Sequence, residues 1–345
     1  MTPAAPYLGE SQNFTIADNQ PIRDAASACL YWPWCRTARV LLSPIVTPPD
    51  FKTMKTSPLS AALSIAALAI PLAAQAAVIT IPQSALIPST QLYTDDIGGG
   101  IGSPVIMTDG GNAANPGQSR NDDGFRGPID LGFTLNFFGQ DYTQFYANNN
   151  GNISFGNGIA AFTPSGPQGA SQPIISPFFA DVDTRGAASG LMNLRTMDNQ
   201  LIVTWDRVGY FDEQTNLLNT FQLVLRGPGY TIPPGEGQIG FFYTTMQWET
   251  GDASGGEGGF GGTPAAVGFG DGQSNGFILE GSTQANISAV VNNTRLWFTL
   301  SDTGTPEVVP PTPVEPPTGV PEPATLGLLG LGLLGTALTR RRRRA

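Results

Sequence analysis

Short runs in which apolar and polar residues alternate with a period of two recur along the chain between Val78 and Thr318, and clusters of Gly, Pro, Asn and Asp separate them. Phe133–Phe137 alternates in this way, and Leu201, Val203 and Trp205 share one face of the run Leu201–Tyr210. Phe221, Leu223 and Leu225 repeat the pattern, as do Ile239, Phe241 and Tyr243. Further strands are expected at Ala265–Phe269, Phe277–Glu280 and Arg295–Leu300. Such alternation places one set of side chains on one face of a strand, and no stretch of the body carries the 3.6-residue apolar stripe of a helix. Asn148–Gly151 ends in an Asn-Gly step that tolerates positive φ, so it predicts a hairpin between Gln144–Ala147 and Asn152–Phe155. Ser84–Asn121 reads as loop with short strands. Many short strands with close turn signals predict an all-β fold, an antiparallel sandwich with long Gly- and Pro-rich loops.

What chemistry this body can do is limited by what it lacks. The chain has no histidine, its two cysteines are Cys29 and Cys35, and its two lysines, Lys52 and Lys55, also precede the body. A Ser-His-Asp triad, a His-ligated zinc and thiol or Schiff-base nucleophiles are therefore excluded there. Between Ala77 and Gly319, seven arginines face twenty-two carboxylates. So acidic a surface argues against nucleic acid and anionic membranes as partners. It leaves cations, neutral glycans and basic proteins.

Met54-Lys55, the apolar stretch Leu59–Ala73 and the small-residue end Ala74-Gln75-Ala76-Ala77 have the three parts of a secretory signal peptide, with Ala74, Ala76 and Ala77 at the cleavage end. We expect translation to start at Met54, leaving residues 1–53 as an unstructured upstream extension, 54–77 as the signal helix and 78–302 as the β domain. Residues 303–319 are proline-rich and predict a stiff spacer.

The tail, 320–345, begins Val320-Pro321-Glu322-Pro323, continues with an apolar run from Ala324 to Leu338 and ends in Arg340–Arg344. An apolar run shorter than the ~20 residues of a comfortable span suits a short, transient membrane helix. The arginines keep their end in the cytoplasm. This order resembles the PEP-CTERM sorting signal of Gram-negative bacteria. The resemblance implies export through the Sec translocon, transient anchoring in the inner membrane, and processing by an exosortase at Val320–Pro323. The destination it implies is the cell surface or the extracellular matrix.

Several ordered blocks of the body resemble the nidogen-type extracellular (NIDO) domain: Asn149–Phe155, Pro173–Asp183, Ile202–Trp205 with Val208, Asn219–Leu225, Gln247–Gly251 and Ala266–Phe269. The resemblance implies a matrix-adhesion module without catalysis. Three kinds of site are weighed within it. Asp181 and Asp183, two apart on an extended segment, are candidate ligands for calcium, with Asp95, Asp96, Asp122 and Asp123 as further donors. Trp248, beside the glycine-rich run Gly251–Gly262, is a candidate glycan-stacking face, whereas Trp205 belongs with its core neighbours. Asp181, Asp183 and Glu249 would supply the carboxylate pair of a glycan hydrolase, but nothing in their spacing favours that over capping and turn roles. The expected role is non-catalytic: adhesion within an extracellular polysaccharide matrix or biofilm, with polysaccharide or a surface protein as partner. A hydrolase or a calcium-dependent ligand-binding module is the alternative.

Overall fold

The computed structural model describes residues 77–311. The expected extension, the signal segment up to Ala76 with Ala74, the end of the spacer and the sorting tail with Val320, Pro321, Glu322 and Pro323 lie outside them. Among the described residues no helix is long and apolar enough to cross a membrane. The expected membrane segment, 324–338, falls in the tail.

The chain enters as β1 (Val78–Ile81), then passes through short β2 (Ile87–Pro88), the one-turn helix α1 (Tyr93–Ile97), β3 (Ser103–Pro104) and β4 (Asp109–Gly110). Next come the long hairpin β5 (Gly124–Phe137) and β6 (Gln140–Asn148), then β7 (Asn152–Ser154), β8 (Pro173–Phe179) and β9 (Val182–Asp183). A meander follows: β10 (Leu191–Met197), β11 (Gln200–Tyr210), β12 (Gln214–Arg226) and β13 (Ile239–Met246). The glycine-rich run forms the small pair β14 (Gly256–Glu257) and β15 (Phe260–Gly261). The chain closes with β16 (Ala266–Asp271), β17 (Gly276–Leu279), helix α2 (Ile287–Val291), β18 (Thr294–Leu300) and β19 (Pro306–Val308).

Two large sheets result. The first runs β1-β17-β16-β8-β7-β6-β5-β4, and the second β19-β18-β13-β12-β11-β10-β3, with β2 added on β18 and β9 on β11. Every pairing is antiparallel except β1 with β17, which is parallel. The inward faces share one core, to which Phe137, Phe178 and Phe269 come from the first sheet and Trp205, Phe221, Phe241 and Phe298 from the second. Rings meet across it: Phe178 lies 5.5 Å from Phe221, and Phe241 stacks on Phe269 at 5.2 Å. The expected sandwich is thus two stacked sheets, with one parallel edge that alternation alone did not reveal.

The outer face of the second sheet is buried as well. Leu201, Val203 and Trp205 point into the main core as their spacing predicts, while Ile202 joins Leu92, Tyr93, Val224, Phe242 and Trp297 in a second cluster under α1. The Asn-Gly hairpin forms with Ala147 opposite Ile153. Gly151 is at φ +76, and a Cβ there would lie 1.8 Å from the Phe178 carbonyl oxygen, so glycine is required both for the turn and for the approach. The boundary expected at 302 moves outward. Pro306–Val308 pairs with β18, so the proline-rich segment begins as an edge strand rather than as free spacer.

Candidate functional site

Two buried polar segments meet at one end of the sandwich. Asn121–Asp123 leads into β5, and Asp181 stands in the corner between β8 and β9. Thr184 ties them together: its N–H and hydroxyl both donate to the Asn121 carbonyl, and its oxygen accepts the Asn121 N–H at 2.7 Å. Arg120 adds one guanidinium nitrogen to the carbonyls of Thr184, Gly186 and Ser189.

The hairpin asparagines fix the geometry from the other side. Asn150 donates its amide N–H to Asp123 Oδ1 at 2.8 Å and accepts the Val182 N–H at 3.0 Å. Asn149 donates to the Val182 carbonyl with its side chain, and its main-chain N–H bonds the Gly124 carbonyl. One turn therefore holds the residues next to both acidic segments. Gly251 closes a third side, where a Cβ would sit 2.5 Å from Asp181 Oδ2. The glycine-rich run is thus a wall of this site, packed where a side chain would not fit.

Within these walls Asp122, Asp123 and Asp181 bring carboxylate oxygens within 4.8 Å of one another. Asp122 and Asp181 are each 1% exposed and Asp123 8%. Among the described residues, both oxygens of Asp122 and Oδ2 of Asp181 have no hydrogen-bond partner, nor does the buried Oδ1 of Asn149. Arg185 is the nearby cation. Its Nε and a terminal nitrogen bind Asp183 at 3.0 and 2.6 Å, and the same terminal nitrogen reaches Asp122 Oδ2 at 2.9 Å without hydrogen-bond alignment. Asp183 also accepts the N–H groups of Arg185 and Glu213.

One guanidinium, already engaged by Asp183, does not neutralise three further acids. Burial, then the charges of Asp123 and Asp183, push the Asp122 carboxyl up to about 8, with Arg185 pulling the other way. Burial and the same kind of neighbours raise Asp181 to about 7. Asp123 is raised by burial, against the hydrogen bond from Asn150. The Asp183 hydrogen bond raises the Arg185 guanidinium, keeping it charged.

The expected pairing of Asp181 with Asp183 is therefore corrected. Asp181 stands outside the strand, so the alternation argument does not reach it, and Asp183 turns to Arg185. Asp181 gathers instead with Asp122 and Asp123. Asp95 accepts the Leu92 N–H at the start of α1, which gives it a capping role. Trp248 is corrected too. It is completely buried, 5.5 Å from Tyr210 and 6.0 Å from Phe178, and its indole N–H donates to the Val208 carbonyl. Neither of its faces is open to a sugar ring. Trp205 stacks on Phe221 at 4.9 Å and donates to the Asn149 carbonyl, behind the acidic site. Glu249 is buried and accepts from Asn286, Ser288 N–H and the Ser288 hydroxyl, so it anchors α2. Sequence reasoning missed Asn149 and Asn150 as clamps, reading them only as a turn. The signal was a run of three amides inside a block otherwise built for a core.

Comparison with known proteins agrees with this architecture. Residues 104–305 match the family model described as NIDO related, and residues 319–344 match the PEP-CTERM protein-sorting motif. Alpha-tectorin of Mus musculus is 34% identical over 205 residues, 51% of this chain, and the Homo sapiens protein is 33% identical over the same length. Nidogen of Drosophila melanogaster is 30% identical over 123 residues, 26% of this chain. The match spans only 9% of the length of each of these relatives. No solved structure matches the chain. Two of the blocks in which the resemblance was read, Asn149–Phe155 and Pro173–Asp183, are those that meet at the acidic site. With the family model covering more than half of its residues, the chain belongs to the NIDO-related family.

Proposed function

We propose that this is an exported protein, cut by an exosortase at Val320–Pro323 and retained at the cell surface or in the extracellular matrix. There it acts without catalysis, in adhesion to extracellular polysaccharide or to a surface protein, as in a biofilm. The observation that carries this reading is the junction of a NIDO-related domain with a PEP-CTERM motif in one chain. The chemistry of the body supports it. Residues 77–311 hold no His, Cys or Lys, and two of the carboxylates weighed for hydrolysis, Asp183 and Glu249, are already bound to Arg185 and to α2. With Trp205, Trp248 and Trp297 all buried, contact with a glycan would fall to the polar, acidic surface.

Fractionation of the host tests both halves. The wild-type chain is expected in the matrix fraction, shortened at its C-terminus, and co-sedimenting with the host's own polysaccharide. The P321A/E322A/P323A variant is expected to stay at the inner membrane, unshortened. A wild-type chain that keeps its tail in the inner membrane would overturn the export reading. A matrix-fraction protein that stays in the supernatant when mixed with the polysaccharide would leave only the surface-protein partner.

A further inference from the structure

We propose that Asp122, Asp123 and Asp181 form a binding site for a single hard divalent cation, calcium, walled by the Asn149–Gly151 turn and the backbone at Gly251. The three carboxylates converge within 4.8 Å. Convergence alone is common among acids. What sets this cluster apart is that Asp122 and Asp181 are each 1% exposed, that Asp122 Oδ1 and Asp181 Oδ2 find no donor among the described residues, and that Asp122 Oδ2 has only the unaligned ion pair with Arg185 at 2.9 Å. Protein interiors rarely leave such atoms unpaired, because an unpartnered buried carboxylate loses its water and gains nothing. A bound cation would satisfy these oxygens at once and offset the charge that Arg185 leaves uncompensated.

The donors select the ion. All are oxygens, and His and Cys are absent from the described residues, which excludes the sites preferred by zinc and copper. Calcium takes six to eight oxygens in flexible geometry, whereas magnesium keeps several waters in a strict octahedron. A cluster this buried, with Asn149 Oδ1 also buried and unpaired one residue from the Asn150 clamp, favours the ion that sheds its water more readily. Asp183 stays outside the coordination shell as the partner that holds Arg185 at the rim, where Arg185 is 27% exposed. The site would fill on the exported side whether or not the protein adheres to a matrix, so its test does not depend on the proposed function.

The full-length chain, purified in mild detergent and stripped with chelator, is titrated with CaCl2 and separately with MgCl2, following both heat of binding and thermal unfolding. Calcium is expected to bind one-to-one with a Kd of about 10⁻⁴–10⁻³ M, as in extracellular calcium modules. At 100-fold excess over Kd it should raise the melting temperature by about 5–10 °C. D122N/D181N is expected to lose this response while melting no lower than the chelated wild type, since it removes buried charge. D96N, outside the site, should respond as wild type does. If the double variant does not fold, D122N or D181N alone is expected to weaken calcium binding at least tenfold. No saturable response to calcium, an equal response to magnesium, or an undiminished calcium response in the folded variants would each overturn the assignment.

Discussion

Trp248 stabilises the molecule in two ways at once, by burying a whole indole against Phe178 and Tyr210 and by satisfying the Val208 carbonyl. W248A removes both, and should cost about 3–5 kcal/mol, read from denaturant unfolding. Loss of matrix binding in that variant would then follow from unfolding, and binding retained by its folded fraction would confirm that the ring is no contact surface. Asp271 shows the opposite balance of burial and bonding. Burial alone would raise its carboxyl, but N–H groups of Gln273, Ser274 and Asn275 and the Asn275 amide all donate to it, and the net shift is downward. A depressed carboxyl contributes stability above its unfolded value of about 4, and that stability is lost as pH falls through the lower folded value. D271N cannot titrate, so its melting temperature should fall less steeply than wild type below pH 4. Parallel slopes would show that the Asp271 loop contributes nothing to acid stability.

At the scale of elements, the edge strand β19 is more than the start of a spacer. Phe298 faces Val308 and Leu300 faces Pro306, and Val308 packs against the main core. Replacing the strand with P306G, E307S and V308G should cost about 1–3 kcal/mol through lost pairing and apolar cover. A melting temperature unchanged by these substitutions would return the segment to the spacer. Its strand character was hidden in the sequence because prolines dominate the stretch, yet Pro at the first position of an edge strand needs no donor. Strands β11–β13 of the meander were legible because alternation survives wherever one face looks into the core, whereas β10, Leu191–Met197, was not expected. Alternation was only half legible in β11, where the cluster under α1 buries the other face too. The acidic site was the least legible. Asp181 lies some sixty positions from Asp122 and Asp123, and only the fold, through Asn150 and Thr184, brings the two segments together. The expectation that Asp181 and Asp183 act as a pair assumed an unbroken strand, and the corner at Asp181 breaks it.

For the whole molecule, the decisive contact joins the first described strand, β1, to β17, far along the chain. Val78 lies opposite Gly276 and Ile81 opposite Leu279, a parallel pairing across almost two hundred residues. Ala77 itself is already engaged: its N–H donates to Asn275 and its carbonyl accepts from Gly276. The first described strand, β1, therefore follows directly on the small-residue pattern, and removal of residues beyond Ala77 would consume it. The first sheet cannot be completed until β17 has crossed the membrane behind β1, and contacts so distant in sequence slow folding. β1 also covers the β17 edge, whose unpaired N–H and C=O groups would otherwise invite another chain. A chain lacking Val78–Ile81 but otherwise intact should lose about 2–4 kcal/mol from four residues of pairing and the burial of Ile81. Its melting temperature should drop by about 5–10 °C, with aggregates that grow with protein concentration. Adding reductant should change neither protein, since Cys29 and Cys35 both precede the β domain. If the shortened chain melts with wild type and stays monomeric, the β1–β17 pairing does not close the sheet, and the distance between its ends sets no limit on folding.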